Sequence, residues 1–150
     1  FLVNLLTELL VIYIVLAGIL LIYDPQTVLD AGSIALSLCL TALFGFSVGA
    51  LNAFLFLRFH VWHVVWSLIS RPLFIVSGVF FIYDKLPAEI KGWLWFNPLV
   101  HVVGLMRAGF YPTYDDYYVS IPYVVGVSLV LLLLAVLMLR AHAQRLILEG

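Results

Sequence analysis

Charge is what this chain of 150 residues lacks most: Asp, Glu, Lys and Arg together make up 10% of it, and the formal net charge is −1. A soluble domain wets its surface with about a quarter charged residues, so a water-soluble globule is excluded. No basic stripe exists to neutralise phosphates, which leaves nucleic acid out as a partner. Cysteine is nearly absent too. Cys39 alone cannot form a disulfide within the chain or a cysteine metal site. The sequence has no phosphate-cradling glycine loop, no H-E-x-x-H helix, no G-x-S-x-G elbow and no repeat of solenoid length. No catalytic residues and no metal site are therefore expected. His60 and His63, two imidazoles without a neighbouring carboxylate, read as interfacial.

What the chain has is apolar length. Hydrophobic residues make up 65% of it and the mean hydropathy is +1.19, which predicts an all-α integral membrane fold with lipid as its surroundings. Four spans are expected, at about 1–23, 34–57, 64–83 and 121–139. The first has Glu8 as its only charge and ends at Asp24-Pro25, since proline cannot continue a helix. Glu8 lies near the start of this span, where a carboxylate costs less than the ~2.5–3.5 kcal/mol of a charge at the centre. It reads as interfacial, with a transport role as the alternative. The second span is free of charge, places Gly45 and Gly49 on one face for close helix packing, and leaves Asn52 in need of a partner. Within the third, Arg71-Pro72 calls for a wet interior or for snorkelling to headgroups. The chain starts at Phe1 inside an apolar pattern and reads as the C-terminal part of a longer protein.

Four spans put both ends on one side. Arg58, Arg140 and Arg145 lie in short connections beside span ends, where the positive-inside rule is strongest, so the 58–63 connection and the tail are placed in the cytoplasm. The loops carrying Asp24, Asp30, Asp84, Glu89, Asp115 and Asp116 then face outward.

The stretch from Gly92 to Tyr118 is neither spanning nor plainly soluble. As a helix its apolar piece, Pro98 to Met106, would rise only ~14 Å against ~30 Å of hydrocarbon. A segment re-entrant over 91–110 fits, and such backbone survives at membrane depth only under a cover of protein or beside a wet cavity. Asn97-Pro98 supplies a helix start. Gly104 and Arg107 follow, the glycine weakening the helix by ~1 kcal/mol relative to alanine and the arginine seeking a carboxylate, a carbonyl or a passing cargo. Trp93, Trp95, Phe96 and Tyr111 offer flat faces to sugar rings, or anchor the chain at the interface.

Arg71-Pro72 with the apolar run to Tyr83, then Lys85-Leu86-Pro87, Trp93, Trp95 and Asn97-Pro98-Leu99-Val100-His101-Val102-Val103 before Arg107, resembles ABC-2-type permeases. The likeness is to the branch that exports capsular polysaccharide, and the chain would correspond to the last four of six spans. In that family two permease copies form the conduit and separate cytoplasmic ATPase subunits, holding ATP and Mg, drive it. The resemblance thus implies a transport subunit of the bacterial inner membrane without its own catalytic site or cofactor. Its partners would be a second copy of itself, an ABC ATPase, a glycan cargo and periplasmic export proteins. The paired short helices that gate the exit in that family correspond to 91–110. Candidate gate residues are Asn97, Pro98, His101, Gly104 and Arg107; candidate path residues are Arg71, Trp93, Trp95, Phe96 and Tyr111. Arg58 is followed by Phe59, where many O-antigen and teichoic-acid relatives carry an acidic residue. A membrane glycosyltransferase acting on lipid-linked sugars, with Asp115-Asp116 in its site, is the alternative from another class.

Overall fold

The computed structural model describes residues 30–149, with side chains to residue 142, together with Thr7, Leu10, Val11, Ile14 and Gly18, which are helical. The rest of the span expected over 1–23, Glu8 included, lies outside the described residues, as does the side chain of Arg145. Among the described residues every regular element is helical.

Helix α1, Ala31–Arg58, begins where Asp30 caps it, three residues before the expected Ile34. One Asp30 carboxylate oxygen accepts from the Gly32 amide at 3.0 Å, and the other accepts from the Ser33 hydroxyl at 2.6 Å. These bonds satisfy first-turn donors that have no partner inside the helix. The Ser33 hydroxyl foremost, then the Gly32 and Ser33 amides, hold the Asp30 carboxyl below its ordinary pKa. At the far end Arg58 stands in the last turn, where a cation suits the helix dipole.

Helix α5, Ile121–Glu149, tolerates Pro122 because a first-turn N–H has no intrahelical partner to lose. It and α1 are the two described helices long and apolar enough to cross a membrane. They run in the same direction: Leu40 and Val124 share one core cluster with Val102 and Leu105, and further along Phe54 meets His142 edge to face. Both helices therefore begin at one end of the bundle, and the polypeptide between them must return to it.

Helix α2, Trp62–Val76, makes that return. It starts beside α1, where the Trp62 indole donates to Asn52 Oδ1 at 2.8 Å and supplies the partner that Asn52 needs. The third span was expected over 64–83, but helix persists only to Val76. Gly78, at φ 91°, takes the left-handed conformation that side-chain-bearing residues avoid, and the chain turns there. Fifteen residues rise only ~22 Å, short of a ~30 Å core. No α2 residue is buried. The Gly45–Gly49 face, expected to pack closely on a neighbour, lines an open apolar groove of about 630 Å³ shared with Trp66, Leu73 and Leu99.

The segment expected to be re-entrant is a hairpin of two helices. After a 3₁₀ turn at Tyr83–Lys85 come α3, Ala88–Leu94, and α4, Pro98–Phe110. Of the two, α4 is deeply built in, with Val100, His101, Val102, Gly104, Leu105 and Gly109 buried.

Candidate functional site

The hairpin is fastened to its surroundings chiefly through backbone carbonyls. Asn97 caps α4 by accepting from the Leu99 amide at 3.1 Å, while its Nδ2 donates to the carbonyl of Val76, the last residue of α2, at 3.0 Å. Arg107 reaches the same stretch from the other end of α4. Its Nη1 donates to Phe81 O at 2.7 Å and its Nη2 to Val79 O at 2.8 Å. The cap of α4 and one of its side chains thus hold three carbonyls, that of the last α2 residue and two of the irregular backbone after it. Where water is scarce, such carbonyls need partners, and a guanidinium supplies two parallel donors that a lysine cannot. Of the three partners anticipated for Arg107, the structure shows the carbonyl. The crevice between Arg107, Gly78, Phe81, Val100 and Tyr118 has no room for a water molecule.

His101 is 1% exposed and joins three elements. Its Nδ1 accepts from the Ser120 amide at 3.2 Å, which leaves the ring proton on Nε2, and Nε2 meets Trp95 O at 2.8 Å. The neutral imidazole is thereby saturated. Trp95 packs edge-on against the ring at 5.2 Å, with its own indole N–H on Tyr118 O at 3.1 Å. Tyr123, in the first turn of α5, donates its hydroxyl to Phe96 O at 2.7 Å.

Gly104 has a packing role. A Cβ there would fall on the Tyr118 hydroxyl, 2.9 Å from Tyr118 Cζ and 3.0 Å from a Val119 methyl. Tyr118 cannot easily yield: its ring stacks on Tyr83 at 4.0 Å and its hydroxyl pairs with that of Tyr114 at 2.9 Å. Burial foremost, then the Tyr114 hydroxyl, push the Tyr118 phenol well above its ordinary range, so it stays neutral. Tyr83 in turn donates to Lys91 O, and Lys91 Nζ donates to Asp84 O, tying α3 down. On the remaining side, Ser37 donates to Val102 O at 2.9 Å and the Asp30 amide to Gly109 O at 3.0 Å, joining α4 to α1.

The structure therefore brings Asn97, Pro98, His101, Gly104 and Arg107 together on one helix and its cap, and the three with hydrogen-bonding side chains, Asn97, His101 and Arg107, are all engaged in holding it. It does not unite the aromatic residues proposed for a path. Trp95 is committed to packing, whereas Trp93, Phe96 and Tyr111 are 84%, 66% and 61% exposed. Arg71 is also exposed, five residues before the end of α2. Asp115 and Asp116 lie in an exposed loop, and His63 stacks on Phe56 at 4.2 Å. Sequence reasoning missed Tyr83, Tyr118, Ser37, Ser120 and Tyr123. The one available signal was the pair Tyr117-Tyr118, which closes the Gly92–Tyr118 stretch.

Apolar helices of spanning length, a short return helix and an irregular segment sealed by side chains define a multi-pass helical membrane protein. Residues 1–111 match the family model described as ABC-2 type transporter, and the chain belongs to that family. It is 33% identical over 106 residues to the capsule polysaccharide export inner-membrane protein BexB of Haemophilus influenzae, covering 70% of this chain and 40% of BexB. It is similar as well to the capsule polysaccharide export inner-membrane protein CtrC of Neisseria meningitidis serogroup A, 33% identical over 63% of this chain and 36% of CtrC. To the polysialic acid transport protein KpsM of Escherichia coli it is 31% identical over 53% of this chain and 31% of KpsM. The chain thus spans about 40% of the length of the BexB proteins it matches.

Proposed function

We propose that the full-length protein is the permease subunit of an ATP-driven exporter that moves a capsular or related glycan, carried on a lipid, across the bacterial inner membrane. The observation carrying this reading is the similarity to two proteins named for capsule polysaccharide export and one named for polysialic acid transport, within a family match that takes in α1, α2 and the hairpin. Two copies would enclose the conduit. A separate ABC ATPase binding ATP and Mg would drive it from the cytoplasm, and periplasmic export proteins would receive the glycan. Four crossings, with the hairpin re-entrant at the outer side, suit the parallel course of α1 and α5 and the short α2 between them.

The hairpin is the outer gate in this reading. Asn97 bonds it to the last residue of α2 and Arg107 to the irregular backbone just beyond, so the gate moves with α2 rather than alone. Arg71 and Tyr111 are the exposed candidates for contact with the glycan. Deleting the gene should abolish surface polysaccharide while polymer accumulates inside the cell, and the intact gene should restore export. Surface polysaccharide unchanged by the deletion would overturn the reading; loss of polymer synthesis itself would favour a transferase.

A further inference from the structure

Two helix starts converge on one imidazole. His101 stands in the first turn of α4, and its Nδ1 accepts from the amide of Ser120, the residue directly before α5. The Ser120 carbonyl in turn accepts from the Val124 amide at 3.3 Å, so Ser120 caps α5 and its own N–H is a donor for which the helix has no acceptor. Neutral Nδ1 supplies that acceptor. The ring is 1% exposed, so water does not compete for the place.

Protonation inverts the contact. An imidazolium carries hydrogens on both nitrogens, so Nδ1 turns from acceptor to donor and faces the Ser120 N–H across 3.2 Å, donor against donor. Its positive charge would also sit at the N-terminal ends of α4 and of the 29-residue α5, the positive poles of both helix dipoles. Among the described residues, the groups packed around the ring offer no counter-charge. Trp95, just after α3, lies at 5.2 Å, Tyr118 at 6.4 Å and Tyr123 of α5 at 5.3 Å, and none of the three is a carboxylate. Arg107, the cation of α4, is bonded to Val79 O and Phe81 O. Burial foremost disfavours the imidazolium and outweighs the carbonyls of Trp95 and Tyr118, which favour it, so the folded ring lies below its ordinary pKa of 6.5.

We propose that His101 is a proton-sensitive latch: as neutral imidazole it fastens the hairpin to the start of α5, and on protonation it releases that junction while the ties to α1 and α2 hold. Those ties run from Ser37 to Val102 O, from Asn97 to Val76 O and from Arg107 to Val79 O and Phe81 O. They are made by a hydroxyl, a carboxamide and a guanidinium, none of which changes charge near neutral pH. The closed junction has the lower pKa and the opened one the ordinary value. Closure is therefore at full strength above pH 6.5 and weakens as pH falls from there through the folded value, by up to about tenfold per pH unit. Use of the latch in opening the gate rests on the function proposed above; the latch itself does not.

The test follows amide hydrogen exchange in the full-length permease in lipid nanodiscs, with neither ATP nor glycan present, from about pH 8 to about pH 5. The protection of the Ser120 amide, corrected for the intrinsic pH dependence of exchange, should be level above pH 6.5 and fall by up to about tenfold per unit below it. The Asp30 amide, which joins α1 to Gly109 O, should keep its protection over the same range. In His101→Asn the carboxamide oxygen takes the place of Nδ1 and does not titrate. The acid loss at Ser120 should then vanish, although His60, His63 and His142 remain at the other end of the bundle. Level protection at Ser120 in the parent would overturn the proposal, as would the same acid loss in His101→Asn. Should that variant fail to fold, the parent still decides, because equal loss at Ser120 and Asp30 would mean general acid loosening and no latch.

Discussion

Arg107 offers the sharpest physical test of how the hairpin is held. In Arg107→Ala the two donors to Val79 O and Phe81 O disappear, while Asn97 still holds Val76 O. Hydrogen bonds from a charged group contribute ~1.5–3 kcal/mol each, but they are not additive, and the bond to Val79 is exposed. A local loss of ~1.5–3 kcal/mol for the pair follows, confined to residues 77–82 because the rest of α4 is fastened through His101, Ser37 and Gly109. Each 1.4 kcal/mol is a factor of ten, so amide hydrogen exchange in this segment should quicken roughly tenfold to a hundredfold. Exchange in α1 and α5 should stay unchanged. Arg107→Lys keeps the charge but not the fork, and should recover only part of the protection. Unaltered exchange across 77–82 in Arg107→Ala would refute the reasoning, because the carbonyls would then not depend on the guanidinium.

Gly104→Ala should lower the thermal unfolding temperature: overpacking against the fixed Tyr118 ring costs ~1–3 kcal/mol, which outweighs the ~1 kcal/mol gained in helix propensity. Gly92→Ala in α3 meets nothing within 4 Å and should be neutral or stabilising, so equal effects of the two changes would count against the packing role. Asp30 has its pKa depressed by folding, so its contribution is present above the ordinary value of 3.8 and is lost as pH falls through the lower folded value. Asp30→Ala should therefore destabilise the protein at neutral pH and match the parent at strongly acidic pH; a gap that widens on acidification would invert the sign. With Cys39 replaced, a cysteine at Asp115 should react with a membrane-impermeant thiol reagent in intact spheroplasts and one at Ala141 should not, and the opposite pattern would reverse the topology.

The spanning helices were legible because hydropathy over twenty residues is a summed, local property. Asn97-Pro98 was legible for a similar reason, since a cap and a first-turn proline act within one turn of themselves. The end of α2 was not. Apolar residues continue through Phe81-Ile82, and only the joint action of Gly78 with Asn97 and Arg107, 21 to 28 residues from the carbonyls they hold, makes a break at Val76 tolerable. Gly104 shows the same limit. Read locally it weakens α4, yet in the fold it is the notch into which Tyr118 fits, a fact set by a residue fourteen positions on. The aromatic cluster divided for comparable reasons: Trp93, Trp95 and Phe96 are neighbours in sequence, but helical rotation sends Trp95 inward to His101 and leaves the other two outside.

The account's central claim, that this chain is part of an ATP-driven glycan conduit, is tested most directly by reconstitution. The full-length permease and its ATPase would be placed in sealed vesicles with lipid-linked glycan and ATP supplied on the cytoplasmic face. The account predicts ATP-dependent delivery of glycan to the opposite side, abolished when the ATPase carries an inactivating change in its phosphate-binding loop. Glycan that crosses equally without ATP hydrolysis, or that never crosses although the two subunits assemble and hydrolyse ATP, would contradict it.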